Sequence, residues 1–192
     1  TMIGKMPGVI EDKFANLRLT YAYMMTHPGK KLLFMGQDIA EFKEFDETRQ
    51  VEWGLLQHSE HKGINQLVKD LNFLYREKPA LYARDTSPEG FEWMNCISSE
   101  KCMLAFVRKG HREEDTLLVI ANFAGAQQEF TVGVPYEGKY KELLNTDNKI
   151  YGGKSGSQTR ARAVQEEEAD GRECSLTVTL SPLSLVIYSF VP

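Results

Sequence analysis

The hydrophobic period of this chain changes once, near Ser87-Pro88-Glu89-Gly90. Before that point apolar residues recur at helical spacing. After it they alternate, or run in short blocks between turn residues, as strands do. A sequence patterned for one period does not settle into the other, so the chain must fold as two unlike parts. The division falls between residues 1–87 and 88–192, and 192 residues suffice for one large domain or two small ones.

In the first part, Glu11 to Met25 reads as a helix. Phe14, Leu17, Leu19, Tyr21, Met24 and Met25 form a broad apolar stripe, and His27-Pro28-Gly29 ends it. Lys31-Leu32-Leu33-Phe34-Met35 follows, short, apolar at its heart and bounded by glycine on both sides. Such a run predicts a strand covered on both faces, as in a parallel sheet. Residues 36–62 are polar and irregular, with Trp53, Leu55 and Leu56 as expected anchors; a loop this long is usually functional. Gly63 to Arg76 carries Ile64, Leu67, Val68, Leu71, Leu74 and Tyr75 at helical spacing and is ended by Pro79. Helix, buried strand, long loop, helix is a piece of an α/β fold.

In the second part the predicted strands are Phe91–Ile97, Cys102–Arg108, Leu117–Phe123, Gln128–Val134, Tyr140–Leu144, Ser175–Leu180 and Leu183–Val191. Several short strands with turns between them predict an antiparallel sandwich. Residues 152–172 read as a flexible loop by composition. The fold class is therefore α+β.

Hydrophobic residues make up 42 % and charged residues 26 %, and the formal net charge is −4. That balance speaks against a nucleic-acid surface, which needs clustered Lys and Arg. No apolar run approaches the roughly 20 residues of a membrane span, and no secretory signal pattern is visible. The three cysteines, Cys96, Cys102 and Cys174, form no disulfide framework, which suits a reducing cytoplasm. Cys96 and Cys102 lack the second ligand pair of a zinc site. His27, His58, His61 and His111 are scattered and read as capping or surface residues, and no cofactor is indicated. "GKMPG", with Gly4, Lys5 and Gly8, is not a phosphate-binding P-loop.

Asp38 and Glu41 stand just past the predicted strand, where active-site groups gather. On position alone they divide evenly between sugar-binding or acid–base work and an ordinary loop role. Phe91 and Trp93 share a strand face, with Phe106 near them. Their expected place is the sandwich core; exposed, they would stack on a sugar ring.

"FANLRLTYAYMMTHPGKKLLFMGQDIAEF", "VEWGLL", "HKGINQLVKDLNFLYREKPAL", "PEGFEWMNC" and "LLNTDNKIYGG" occur in that order. With "GKMPG" they closely resemble the C-terminal part of bacterial-type 1,4-α-glucan branching enzymes, members of the α-amylase superfamily. The resemblance covers nearly the whole chain. It implies a (β/α)₈ barrel remnant over residues 1–87, with Glu11–Met25 as the seventh helix, Lys31–Met35 as the eighth strand and Gly63–Arg76 as the eighth helix. An all-β domain would follow over 88–192. The family's nucleophile, general acid and transition-state-stabilising Asp match nothing here, and retaining transfer needs the first two about 5 Å apart. The resemblance thus implies no catalytic residue in this chain and a structural or substrate-supporting role, with α-glucan as the parent enzyme's substrate. Lys5, Met6, Asp38 and Glu41 are the substrate-binding candidates carried over. The family pattern Phe-Met-Gly-x-Glu-Phe-x-Gln reads here Phe34-Met35-Gly36-Gln37-Asp38-Ile39-Ala40-Glu41, with Asp38 at the Glu position and Glu41 at the Gln position. The alternative is an autonomous glucan-binding module using Phe91, Trp93, Tyr136, Tyr140 or Tyr151. A strand cut from a barrel is all edge, so the remnant is expected to self-associate or to be disordered before about residue 80.

Overall fold

A computed structural model describes residues 1–158 and 160–192. Three helices precede the strands: α1 (Met2–Lys5), α2 (Ile10–Thr26) and α3 (Ser59–Glu77). Glu11 and Asp12 in the first turn of α2 and Glu60 in that of α3 suit the positive end of a helix dipole. Pro28 and Pro79 stand just past the two C-termini, where proline cannot extend a helix.

Among the described residues eight antiparallel strands follow: β1 (Phe91–Asn95), β2 (Met103–Arg108), β3 (Leu117–Asn122), β4 (Gln128–Val134), β5 (Lys139–Asn145), β6 (Arg162–Ala163), β7 (Cys174–Leu180) and β8 (Ser184–Val191). Six form one sheet in the order β1-β2-β3-β8-β5-β6, and β4 pairs with β7 in a second. The seven strands expected from the sequence are present, with ends shifted by no more than two residues. The short β6 was not foreseen. It pairs with Lys139 and Tyr140, and Gln165 bridges Ser175, so the 152–172 segment is tied to the sheets at both places.

The alternation along the large sheet makes two cores. One face, with Ala105, Val107, Leu118, Ile120, Val186 and Tyr188, meets Phe130, Val132, Leu176 and Val178 of the small sheet. The other, with Phe106, Leu117, Val119, Ala121, Leu185 and Ile187, meets Leu17, Tyr21 and Ala22 of α2, in a core continued by Ile64, Leu67 and Leu71 of α3. The helical residues before position 80 are thus packed on the sheet in a shared core, rather than disordered.

Lys31–Met35 is not a strand: none of its residues joins a ladder among the described residues. Leu33 packs on the helical core, whereas Leu32 is 73 % and Phe34 54 % exposed. The in–out alternation of a strand is present, but no neighbour supplies hydrogen bonds, and a lone segment cannot build a ladder. Phe91, Trp93 and Phe106 also do not fill the sandwich interior. They lie on the helix-facing side, with Tyr23 of α2 and His27 just past its end: Phe106 is buried at 6.0 Å from Tyr23, and Trp93 is 41 % exposed. The shared strand face was legible; which face it was depended on the helices.

Candidate functional site

The polar segment after Phe34 is built around Gly36 and Ala40, both left-handed at φ +80° and +57°, with a single 3₁₀ turn, Gln37–Ile39, between them. Gly36 is required there by space as well as conformation: a Cβ would lie 2.3 Å from Glu41 Oε2. Glu41 is buried. Its carboxylate accepts from Arg49 Nη1 at 3.2 Å and from the Glu52 amide at 3.4 Å. Arg49 also donates to the Glu44 carbonyl. A buried carboxylate needs such partners, and these close the 41–52 loop onto its own start.

Asp38 differs. Its backbone carbonyl accepts from Asn65 Nδ2 at 3.4 Å, while its half-buried carboxylate receives no hydrogen bond from the described residues. Tyr21 donates to the Gln37 carbonyl at 2.8 Å, and His61 Nδ1 lies 2.7 Å from the Ile39 carbonyl. Burial, and then the Asp38 charge, push the Tyr21 hydroxyl's pKa up, so it stays protonated and available as a donor. His61, expected to cap or to face solvent, is buried, edge-on to Phe14 at 5.2 Å. Beside it a cavity of about 300 Å³ is bordered by Ile10, Phe14, Phe42, Leu55 and His58.

Lys5 is exposed, and its charge helps hold the Glu44 carboxyl below its ordinary range. Met6 is half-buried against Thr20, its sulfur 4.0 Å from the hydroxyl. Among the described residues no hydrogen bond or ion pair joins Lys5 or Met6 to Asp38 or Glu41. Trp53, expected as an anchor, is 58 % exposed, whereas Leu55 and Leu56 are half-buried. Tyr140 and Tyr151 are buried and cannot present a ring face to a ligand; Tyr136 is half-buried.

"LLNTDNKIYGG" is the joint between the helices and the sheet. Arg18 Nε of α2 donates to the Thr146 carbonyl at 2.9 Å, and Tyr151 donates to Asp70 of α3 at 2.7 Å. Thr146 Oγ1 accepts from the Leu185 amide at 2.8 Å, and Asp147 takes the Ser155 hydroxyl at 2.6 Å. Burial lowers the Arg18 pKa, and Asp147 opposes that shift. Gly63 lets α3 approach: a Cβ there would lie 2.3 Å from the Tyr151 carbonyl oxygen. A second joint is Arg108, fully buried in β2. Its guanidinium donates to the Thr26 carbonyl at 2.7 Å, to the Leu81 and Gly90 carbonyls at 3.3 Å, and to Asp85 at 2.8 Å. Sequence patterning gave no sign of Arg108, since a charged residue ending a strand normally faces solvent.

A groove of about 820 Å³ runs between α3 and residues 149–152; its lining holds Lys62, Lys69 and Lys149 but no carboxylate. No group of three His, Cys, Asp or Glu residues able to hold a metal occurs among the described residues. Nor is any described helix long and apolar enough to cross a membrane. On the braced turn, the Asp38 carboxylate is left without a hydrogen-bond donor among the described residues.

Residues 93–191, just over half of the chain, match the family described as the α-amylase C-terminal all-β domain. The chain belongs to that family. Its similarity to known proteins extends well beyond the domain. The 1,4-α-glucan branching enzyme GlgB of Aquifex aeolicus is 44 % identical over 187 residues, covering 97 % of this chain and 30 % of the relative. The GlgB of Synechococcus elongatus is 41 % identical, covering 97 % of the chain and 24 % of the relative. GlgB 1 of Rhizobium etli is 45 % identical over 188 residues, covering 97 % and 25 %. The chain spans about a quarter to three-tenths of the length of these curated relatives and corresponds to their C-terminal part.

Proposed function

We propose that this chain serves as the non-catalytic C-terminal part of a cytoplasmic 1,4-α-glucan branching enzyme, which transfers a segment of an α-1,4 glucan onto a 6-hydroxyl. Residues 1–87 complete the end of its (β/α)₈ barrel, and residues 88–192 form the β sandwich docked against it. The observation that carries this reading is that the match at 44 % identity covers 97 % of the chain, well beyond the β domain. The unpartnered Lys31–Met35 segment supports it, because its outward Leu32 and Phe34 and free backbone suit a strand lacking its barrel neighbours. Without those neighbours the segment promotes self-association.

In this reading Asp38 hydrogen-bonds glucan hydroxyls, Lys5 and Met6 border the cleft, and Glu41 keeps the loop in shape. No metal, cofactor or nucleic acid takes part. The chain alone makes no branches, since two carboxylates about 5 Å apart are needed for retaining transfer. The test is a chimera in which the full chain replaces the matching C-terminal part of the A. aeolicus enzyme. Branching of linear amylose by the chimera, read by iodine stain and branch-linkage analysis, with none from the 192 residues alone, is the expected outcome. A folded but inactive chimera, or branching by the isolated chain, overturns the reading.

A second reading, a glucan-binding module acting by itself, rests on the exposed ring of Trp93 beside Phe91, 5.0 Å away. Affinity electrophoresis in glycogen separates the two: retardation lost in Trp93→Ala favours the module, and no retardation favours the scaffold.

A further inference from the structure

Three consecutive carbonyls of one turn are held from outside it. Gln37, Asp38 and Ile39 accept in order from Tyr21 Oη at 2.8 Å, Asn65 Nδ2 at 3.4 Å and His61 Nδ1 at 2.7 Å. The donors come from two separate helices, α2 and α3. The turn is also pinned at both ends by left-handed residues, Gly36 and Ala40. With its carbonyls engaged on the helix side, the turn has little freedom to rotate, and the carboxylate of Asp38 is left without a donor among the described residues. A group that must meet a ligand binds better when its backbone is already fixed, because ordering is not charged against binding.

We propose that Tyr21, His61 and Asn65 are positioning residues for Asp38, holding the Gln37–Ile39 turn so that this carboxylate meets the hydroxyls of one glucosyl unit of an α-glucan. The inference rests on the glucan reading above. The three side chains do not touch the sugar; they act through the backbone. Their geometry matches the task. A carboxylate one methylene shorter than glutamate reaches less far, so the error it tolerates in backbone placement is smaller.

The test uses the chimera carrying the full chain, with kcat and KM measured on linear amylose. Tyr21→Phe removes one oxygen and keeps the ring, so the fold is retained. It is expected to raise KM by about 3- to 10-fold, the scale of one lost hydrogen bond, with kcat little changed. Asp38→Asn raises KM by itself. The double variant Tyr21→Phe/Asp38→Asn is expected to be no worse than Asp38→Asn alone, because the tyrosine works only through the carboxylate. His61→Asn keeps a donor near the place of Nδ1 and is expected to stay near wild type, whereas His61→Phe behaves like Tyr21→Phe. Independent, multiplying effects of Tyr21→Phe and Asp38→Asn overturn the inference, as does an unchanged KM in both Tyr21→Phe and His61→Phe. An unmodified chimera that folds but does not branch overturns the glucan reading itself, a result distinguishable from either of these.

Discussion

Two apolar runs of this chain look alike on paper and end differently. Lys31-Leu32-Leu33-Phe34-Met35 and Leu117-Leu118-Val119-Ile120-Ala121 are both short and unbroken, with turn residues close by. The second is a fully buried strand paired on both sides, with Val119 opposite Phe106 on β2 and Ile187 on β8. Its odd residues meet the helices and its even residues meet the small sheet. The first pairs with nothing among the described residues and turns Leu32 and Phe34 to solvent. An unbroken apolar run therefore signals two covered faces in β3, although that sheet is antiparallel. In residues 31–35 it signals only that covers are wanted. Strand identity belongs to the neighbours as much as to the run.

The sharpest way to break this comparison is proline, which cannot donate to a ladder. Val119→Pro is expected to abolish the folded state, read as loss of the cooperative thermal transition. Leu32→Pro breaks no ladder hydrogen bond and is expected to cost far less than Val119→Pro. Equal losses at the two sites would show that residues 31–35 are paired in solution.

A smaller effect is expected where the two parts meet. In an exposed helix interior, glycine to alanine gains roughly 0.5–1 kcal/mol. At Gly63 the added methyl meets the Tyr151 carbonyl, so Gly63→Ala is expected to reverse sign and cost about 1–3 kcal/mol by denaturant titration. A stabilised Gly63→Ala would mean that α3 and the 149–152 turn are not held together.

The least effect near neutral pH comes from Tyr188, on the strand that β3 has and residues 31–35 lack. Burial, its largest cause, pushes its hydroxyl up to about 12, from an ordinary value near 10. A raised folded-state value means that the fold favours the protonated form. That contribution is complete below pH 10 and is lost as pH rises through about 12. Stability is expected to be flat in this respect near neutrality and to fall in that alkaline window, and Tyr188→Phe is expected to flatten the fall. An unchanged alkaline profile in Tyr188→Phe would assign the loss to other groups, such as the buried Tyr21, Tyr140 and Tyr151, whose values burial also raises.

Much of the site was legible only as position. Asp38 and Glu41 could be placed after an apolar run and before a long loop, but not told apart. Glu41 is enclosed because Arg49, eight residues on, folds back onto it, and Asp38 is left open because its neighbours' side chains engage carbonyls instead. Tyr21, His61 and Asn65 sit in ordinary helical pattern, so no local feature marks them as holding a turn that precedes α3 by about 20 residues. Arg108 carries no signal either, since its four acceptors, Thr26 and three residues between 81 and 90, lie 18 to 82 positions away in the chain.

What the sequence alone determined was where the two long helices and seven of the strands lie, and that they add up to an α+β fold. Both are written locally, in the period of apolar residues and in the glycines and prolines that end each run. Which face of a strand meets which layer, which carboxylate is enclosed, and whether an apolar run becomes a strand at all were decided by tertiary structure. Each depends on hydrogen-bond partners and covering surface supplied by distant parts of the chain, and no local pattern encodes those.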